Sequence, residues 1–169
     1  MKIHSFVNSL IGKLKSINYI NNDYHITMSR AIPTYDELYY IKHQVSLKEY
    51  EMHKHVYSLG IVNIPKILAY DRDTKVMLME RVNHMNVSDF YGEKEADITP
   101  DLFKKIRTII KTLYDNNIVY PDITGYNFIE FKNRIWIIDF EHSNFKPLLH
   151  DEFVVKFIQG TNKWNPRFK

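Results

Sequence analysis

The sequence predicts an α+β fold in two parts, a strand-rich first part and a more helical second part. Three patterns predict it. Short runs rich in Tyr, Ile, Val and Met between residues 24 and 80 read as strands. One helix-period segment, SLKEYEMHKHVYSL, interrupts them. After a polar stretch, a long amphipathic segment is followed by two apolar runs separated by KNR, which read as a helix and a hairpin. The chain of 169 residues fits one domain, divided at about residues 1–80 and 81–169.

Each element follows in order. Phe6, Leu10, Leu14 and Ile17 have helical spacing in the first twenty residues, and Asn21, Asn22 and Asp23 break the pattern. YHITMSRAI reads as a strand ending at Pro33, TYDE as a turn, and LYYIKHQV as the next strand. The helix over 46–59 has Ser46 as its cap, Glu49 at the capping-box position and Gly60 as its stop. Its predicted buried face is Leu47, Tyr50, His53, Val56 and Leu59. ILAY and KVMLME are strands joined by DRDT, and residues 81–100 are a polar, irregular link. A helix over 101–116 carries the stripe Leu102, Ile106, Ile109, Ile110 and Leu113. IVYPDITGYNFI then leads into the strand NFIEF, a turn, and IWIIDF. A short helix, DEFVVKFI, precedes the tail GTNKWNPRFK, whose aromatics suit a terminal latch or a partner-binding peptide.

Composition narrows the function classes. There is no cysteine, so disulfides and thiolate chemistry are excluded. The 23 basic and 20 acidic side chains leave a net charge of +3, which gives no strong case for nucleic acid. His53 and His55 fall on different faces of one helix, which disfavours a histidine metal site. No run approaches the ~18–20 apolar residues of a membrane-spanning helix, and MKIHSFVNSLIGKLKSINYI lacks a secretory cleavage site. A soluble, intracellular protein of the cytoplasm or nucleus is the expectation.

The chemistry concentrates in IVYPDITGYNFI and the Asp that follows. Asp, Gly and Asn are ordinary turn residues, so the loop alone also reads as scaffolding. Asp139 is different, because a carboxylate after Trp136, Ile137 and Ile138 is costly unless paired or metal-bound. Folding the hairpin brings Asp122, Asn127 and Asp139 toward one point. Such oxygen donors suit magnesium held together with phosphates, which is the logic of phosphoryl transfer.

These residues resemble the protein-kinase-like superfamily. Asp122 and Asn127 match the Asp and Asn of its catalytic loop, and Asp139-Phe140 match the start of its Asp-Phe-Gly motif. The order of pieces is similar to the compact atypical kinases, the group containing Bud32-type and RIO-type proteins. The resemblance implies a two-lobed fold with a small strand-rich N-terminal lobe and a much reduced C-terminal lobe. It implies ATP and Mg2+ as cofactors, with Asp122 orienting the acceptor and Asn127 and Asp139 holding the metal. Lys42, in YYIK, would contact phosphates, and Glu49 would hold Lys42, with Glu51 as its rival. Met79 would back the adenine pocket, and backbone groups near Glu80 and Val82 would bind adenine.

The resemblance implies an atypical serine/threonine protein kinase acting on a protein substrate or bound to a protein partner. The alternatives are a small-molecule kinase and a pseudokinase that acts by binding. Several positions depart from the pattern. No GxGxxG is present, Tyr120 and Pro121 replace the residues that usually precede the catalytic Asp, Thr124 replaces a lysine, and Glu141 replaces the glycine. The short tail after Asp139 leaves little room for a long activation segment.

Overall fold

The computed structural model describes residues 38–148 and 150–168. The helix, strand and turn expected before Leu38, and the stretch where a glycine-rich loop would fall, lie outside the described residues.

Strands β1 (Tyr39–Lys42), β2 (Ile67–Asp71) and β3 (Val76–Glu80) form an antiparallel sheet in the order β1-β3-β2. Tyr39 faces Glu80 and Lys42 faces Met77 across the β1–β3 ladder. Asp71 makes the turn between β2 and β3, its Oδ1 accepting from the backbone nitrogens of Asp73 at 2.9 Å and Thr74 at 3.2 Å.

Helix α1 (Leu47–Leu59) starts where expected, with the Ser46 hydroxyl accepting from the Glu49 backbone nitrogen at 3.1 Å. It ends at Gly60, whose φ of 62° is the left-handed conformation that suits glycine. The buried face differs from the expectation. Glu49, Met52, His53 and Val56 are buried, while Leu59 is exposed and Leu47 and Tyr50 only half-buried. The helix is rotated to take Glu49 inside, where its carboxylate bonds Lys42 instead of closing a capping box. The segment mixes charge and apolar residues too evenly for the stripe to be decided by hydrophobicity alone.

The link after β3 is more ordered than the sequence predicts. It contains helix α2 (Val87–Tyr91), capped by Asn86, whose Oδ1 accepts from the Asp89 backbone nitrogen at 2.8 Å. Five residues are too few for a period to show. Helix α3 (Pro100–Asp115) follows with Thr99 as its cap and buries Leu102, Phe103, Ile106, Ile110 and Leu113. Strand β4 (Ile118–Val119) pairs with β7 (Asn144–Phe145), a contact the sequence did not predict. Between them, β5 (Phe128–Phe131) and β6 (Arg134–Ile137) form the expected hairpin. Lys132 and Asn133 turn it at φ of 50° and 60°, the signature of a two-residue primed turn. Helix α4 (Glu152–Gln159) closes the fold. Among the described residues no helix is long and apolar enough to cross a membrane.

The main core joins the α3 stripe to Ile118, Phe128, Ile137, Val154, Phe157 and Trp164. A smaller cluster of Val45, Met77 and Met79 lies under the three-stranded sheet, with Tyr50 stacked on Tyr70 at 4.3 Å between ring centres. Helix α1 reaches both, through Met52 and Val56 on one side and Tyr50 on the other.

Candidate active site

Lys42, the last residue of β1, places its Nζ 2.6 Å from Glu49 Oε1 and 2.6 Å from Asp139 Oδ2. One ammonium therefore joins the sheet, helix α1 and the segment after β6. Burial works against the charge on Lys42, but the Asp139 and Glu49 carboxylates outweigh it and raise its pKa above 10.5. Glu49 is only 2% exposed, and burial raises its pKa although the bond to Lys42 pulls the other way. A single cation shared by two carboxylates gives this result, since the more deeply buried acid is left partly uncompensated. Glu51 is exposed.

Asp139 lies two residues beyond β6 rather than ending it. Its Oδ1 accepts from the Glu141 backbone nitrogen at 2.9 Å, so the turn after Phe140 fixes the carboxylate. The Glu141 side chain is exposed. The backbone nitrogen of Ile138 donates to the Asn127 carbonyl at 3.2 Å and ties this segment to the loop carrying Asp122.

That loop is held from several sides. Asn127 Nδ2 donates to the Asp122 carbonyl at 3.1 Å, which leaves its amide oxygen as a hard donor. The Thr124 hydroxyl donates to Asp122 Oδ1 at 3.3 Å, and His142 Nε2 lies 4.0 Å from Asp122 Oδ2. Burial raises the Asp122 pKa, opposed by Asn127, His142 and Thr124. Gly125 is required by close approach. A Cβ there would press on the Ser88 hydroxyl and sit 3.1 Å from its backbone nitrogen, because α2 packs directly on the loop. Tyr120, where the resemblance expects histidine, is 1% exposed and meets Phe140 edge-on at 5.7 Å, while His53 meets the same ring at 5.4 Å. The replacement is thus an aromatic that fills an edge-packed layer between α1 and the loop.

A cavity of about 660 Å³ opens between these parts. Lys42, Asn127 and Asp139 line it, together with Met79, Glu80 and Val82. Asp122 and Glu49 are not part of its lining; Glu49 reaches it through Lys42 and Asp122 through its own loop. The described residues contain no group of three His, Asp or Glu side chains placed to hold a metal ion. The oxygen donors at the cavity are the pair Asn127 and Asp139. Two protein oxygens suit magnesium, which keeps most of its shell for water and phosphate, so the donor set fits that ion.

Sequence reasoning missed His142 beside Asp122, the packing of Ser88 on Gly125, and the contacts that the last turn makes with the loop. The tail, whose sequence suits a latch or a partner peptide, packs as a latch. Trp164 is buried against Phe103 at 4.6 Å, and Asn165 is fully buried.

The RIO domain family model matches residues 6–145. The BUD32 subunit of the EKC/KEOPS complex from Enterocytozoon bieneusi (strain H348) is 27% identical over 93 residues, which covers 48% of this chain and 45% of that protein. The chain thus spans under half the length of this curated relative. The Cydia pomonella granulovirus kinase PK-1 is similar in structure at a TM-score of 0.49 and 18% identity, over 63% of this chain and 43% of that one. The Rio2 kinase of Chaetomium thermophilum, solved as an ADP/Mg2+-phosphoaspartate complex, gives a TM-score of 0.49 and 17% identity, over 73% and 37%. The family model spans most of the chain and carries the α+β kinase-like fold with it. The chain belongs to the RIO domain family, within the protein-kinase-like superfamily.

Proposed function

We propose that this chain is an ATP- and magnesium-dependent phosphotransferase, with a serine or threonine hydroxyl on a protein as acceptor and an intracellular place of action. The observation that carries the reading is the ammonium of Lys42 held between Glu49 and Asp139 at the wall of a cavity that Asn127 also lines. The three-stranded sheet with α1 would act as the smaller lobe, and the segment from α2 onward as a reduced second lobe, with the nucleotide between them.

In this reading Lys42 contacts nucleotide phosphates and Glu49 keeps the ammonium in place. Met79 backs the adenine, and backbone groups near Glu80 and Val82 bond its edge. Asn127 and Asp139 hold magnesium, which when bound would neutralise phosphate charge and align the transferred group. Asp122 orients the acceptor hydroxyl. Its raised pKa leaves it better able to accept a proton than an exposed aspartate, which suits that role. Asp139, 2.6 Å from Lys42, would hold the metal with its carboxylate when nucleotide binds.

The same contact favours a second reading, a catalytically weak member that acts by binding a protein partner. In that case Lys42 and Asp139 serve each other as a structural pair. Phosphate transfer from ATP to the chain itself or to a generic acceptor protein separates the two. The kinase reading expects magnesium-dependent transfer that Asp122→Asn reduces by roughly 100-fold or more, the range of a positioned acid or base beginning there. Transfer that is unchanged in Asp122→Asn overturns the role of that residue. Transfer absent at every magnesium concentration favours the binding protein.

A further inference from the structure

The loop carrying Asp122 rests on a support assembled from the far end of the chain. Asn165 is fully buried beneath it. Its Nδ2 donates to the Pro121 carbonyl at 2.7 Å, and its backbone nitrogen donates to the Ile123 carbonyl at 2.8 Å. The first carbonyl belongs to the peptide that enters Asp122 and the second to the peptide that follows Ile123, so one residue holds the backbone before and after Asp122. Asn165 Oδ1 is occupied in turn, accepting from the Arg167 backbone nitrogen at 3.1 Å and from Arg167 Nε at 3.4 Å. Arg167 Nη2 bonds Asp151 Oδ2 at 2.6 Å, and Asp151 Oδ1 caps α4 by accepting from the Val154 nitrogen at 3.2 Å. The next residue, Phe168, meets the ring of His142 at 4.8 Å, and His142 is the group beside the Asp122 carboxylate.

We propose that Asn165 is a positioning residue for Asp122, and that Arg167, braced on Asp151, holds Asn165 in register. The proposal rests on the reading of Asp122 as the group that orients the acceptor. The physical argument is one of donors and acceptors. The Pro121 carbonyl accepts from the Ile123 backbone nitrogen at 2.9 Å and takes its second bond from Asn165, which also bonds the buried Ile123 carbonyl, and a buried amide without all its bonds is costly. Asparagine supplies one donor from its side chain and one from its backbone at the required separation, and its remaining oxygen is locked by a guanidinium. Aspartate in its place would set a carboxylate oxygen against the Pro121 carbonyl. The resulting repulsion would shift the loop without changing side-chain volume. None of these residues lines the nucleotide cavity, so the effect should fall on turnover and spare nucleotide binding.

The test uses the full chain, with Asn165→Asp and Arg167→Gln. Three quantities are measured: magnesium-dependent ATP turnover, the dissociation constant for magnesium-ADP, and amide hydrogen exchange across residues 119–128. A displacement near 1 Å costs about 100-fold in rate. Asn165→Asp is therefore expected to lower kcat by about 10- to 100-fold and Arg167→Gln by less, with magnesium-ADP affinity within about two-fold of the parent. Exchange should rise in the loop and stay unchanged in α3. Unchanged turnover in a folded Asn165→Asp variant overturns the proposal, and so does nucleotide affinity that falls in step with turnover. Arg167 is at the surface, so Arg167→Gln decides alone if the first variant fails to fold; full turnover and an unaltered loop then count against the clamp. A parent chain that turns over no ATP sinks the reading of the site. The clamp is then judged by exchange alone: loop amides released in the variants support it, and loop amides as protected as in the parent reject it.

Discussion

Replacing Lys42 by methionine should destabilise this protein far more than the loss of a surface ion pair would. The Lys42 side chain is 18% accessible and that of Glu49 3%, so the pair is largely out of water. Removing one member of such a pair costs about 3–5 kcal/mol, because the other charge stays buried without compensation. Here Asp139 would also remain beside Glu49 with no cation between them. The sign of the pH dependence follows. With Lys42 gone, the pKa of Glu49 rises further above 4.5 in the folded state, so the folded protein holds the proton more tightly than the unfolded chain. The stability this lends is present below about 4.5 and is lost as pH rises through the folded value, so the variant's deficit should be largest at neutral pH and shrink on acidification. Adding Glu49→Leu should restore most of the loss, to within about 1 kcal/mol of the parent, since an apolar pair can replace a buried ionic one. Urea unfolding at pH 7.5 and 5.5 measures all three proteins. A loss below 1 kcal/mol in Lys42→Met, or a double variant no more stable than the single, would refute the argument that Glu49 depends on Lys42 for its burial.

Three further outcomes follow from the packing and charge of the site. Gly125→Ala should cost about 1–3 kcal/mol by overpacking against α2; adding Ser88→Ala, which removes the hydroxyl nearest the new Cβ, should recover part of it in thermal melts, and a single variant as stable as the parent contradicts the close approach. Burial lowers the pKa of His53 below 6.5, so the unfolded chain takes up its proton first and stability should fall as pH drops below 6.5. His53→Gln should flatten that limb of the stability curve, and an unaltered limb counts against the assignment. Trp164→Ala should lose about 3–5 kcal/mol in denaturant unfolding, because its ring closes the core against Phe103 and Phe128; a loss under 1 kcal/mol would mean that the tail is not a latch.

The parts of the site legible in the sequence were those carried by residue type at fixed spacing. Asp122, Asn127 and Asp139 could be read together because the first two stand five positions apart and one hairpin leads from them to the third, and hairpin geometry is local. Ser46, Gly60 and the KNR turn announced their elements through capping and turn chemistry. The rotation of α1 was not legible, because it is set by the partner of one buried carboxylate and not by an apolar stripe. Helix α2 was too short for a period, although Asn86 with Asp89 is a capping signal that could have found it. Asn165 was beyond reach for another reason. It acts on backbone carbonyls far along the chain, that of Pro121 lying 44 residues away, and a carbonyl has no residue identity to read. The pairing of β4 with β7 is similarly non-local, joining two-residue strands on either side of the hairpin.

The central claim is that Lys42, Asn127 and Asp139 form a site for nucleotide with magnesium. Calorimetric titration of ADP into the chain tests it most directly, with and without magnesium and with Asp139→Ala beside the parent. The account predicts that magnesium tightens ADP binding in the parent and that Asp139→Ala removes this dependence. Nucleotide affinity that ignores magnesium in the parent, or magnesium dependence that survives Asp139→Ala, would contradict it.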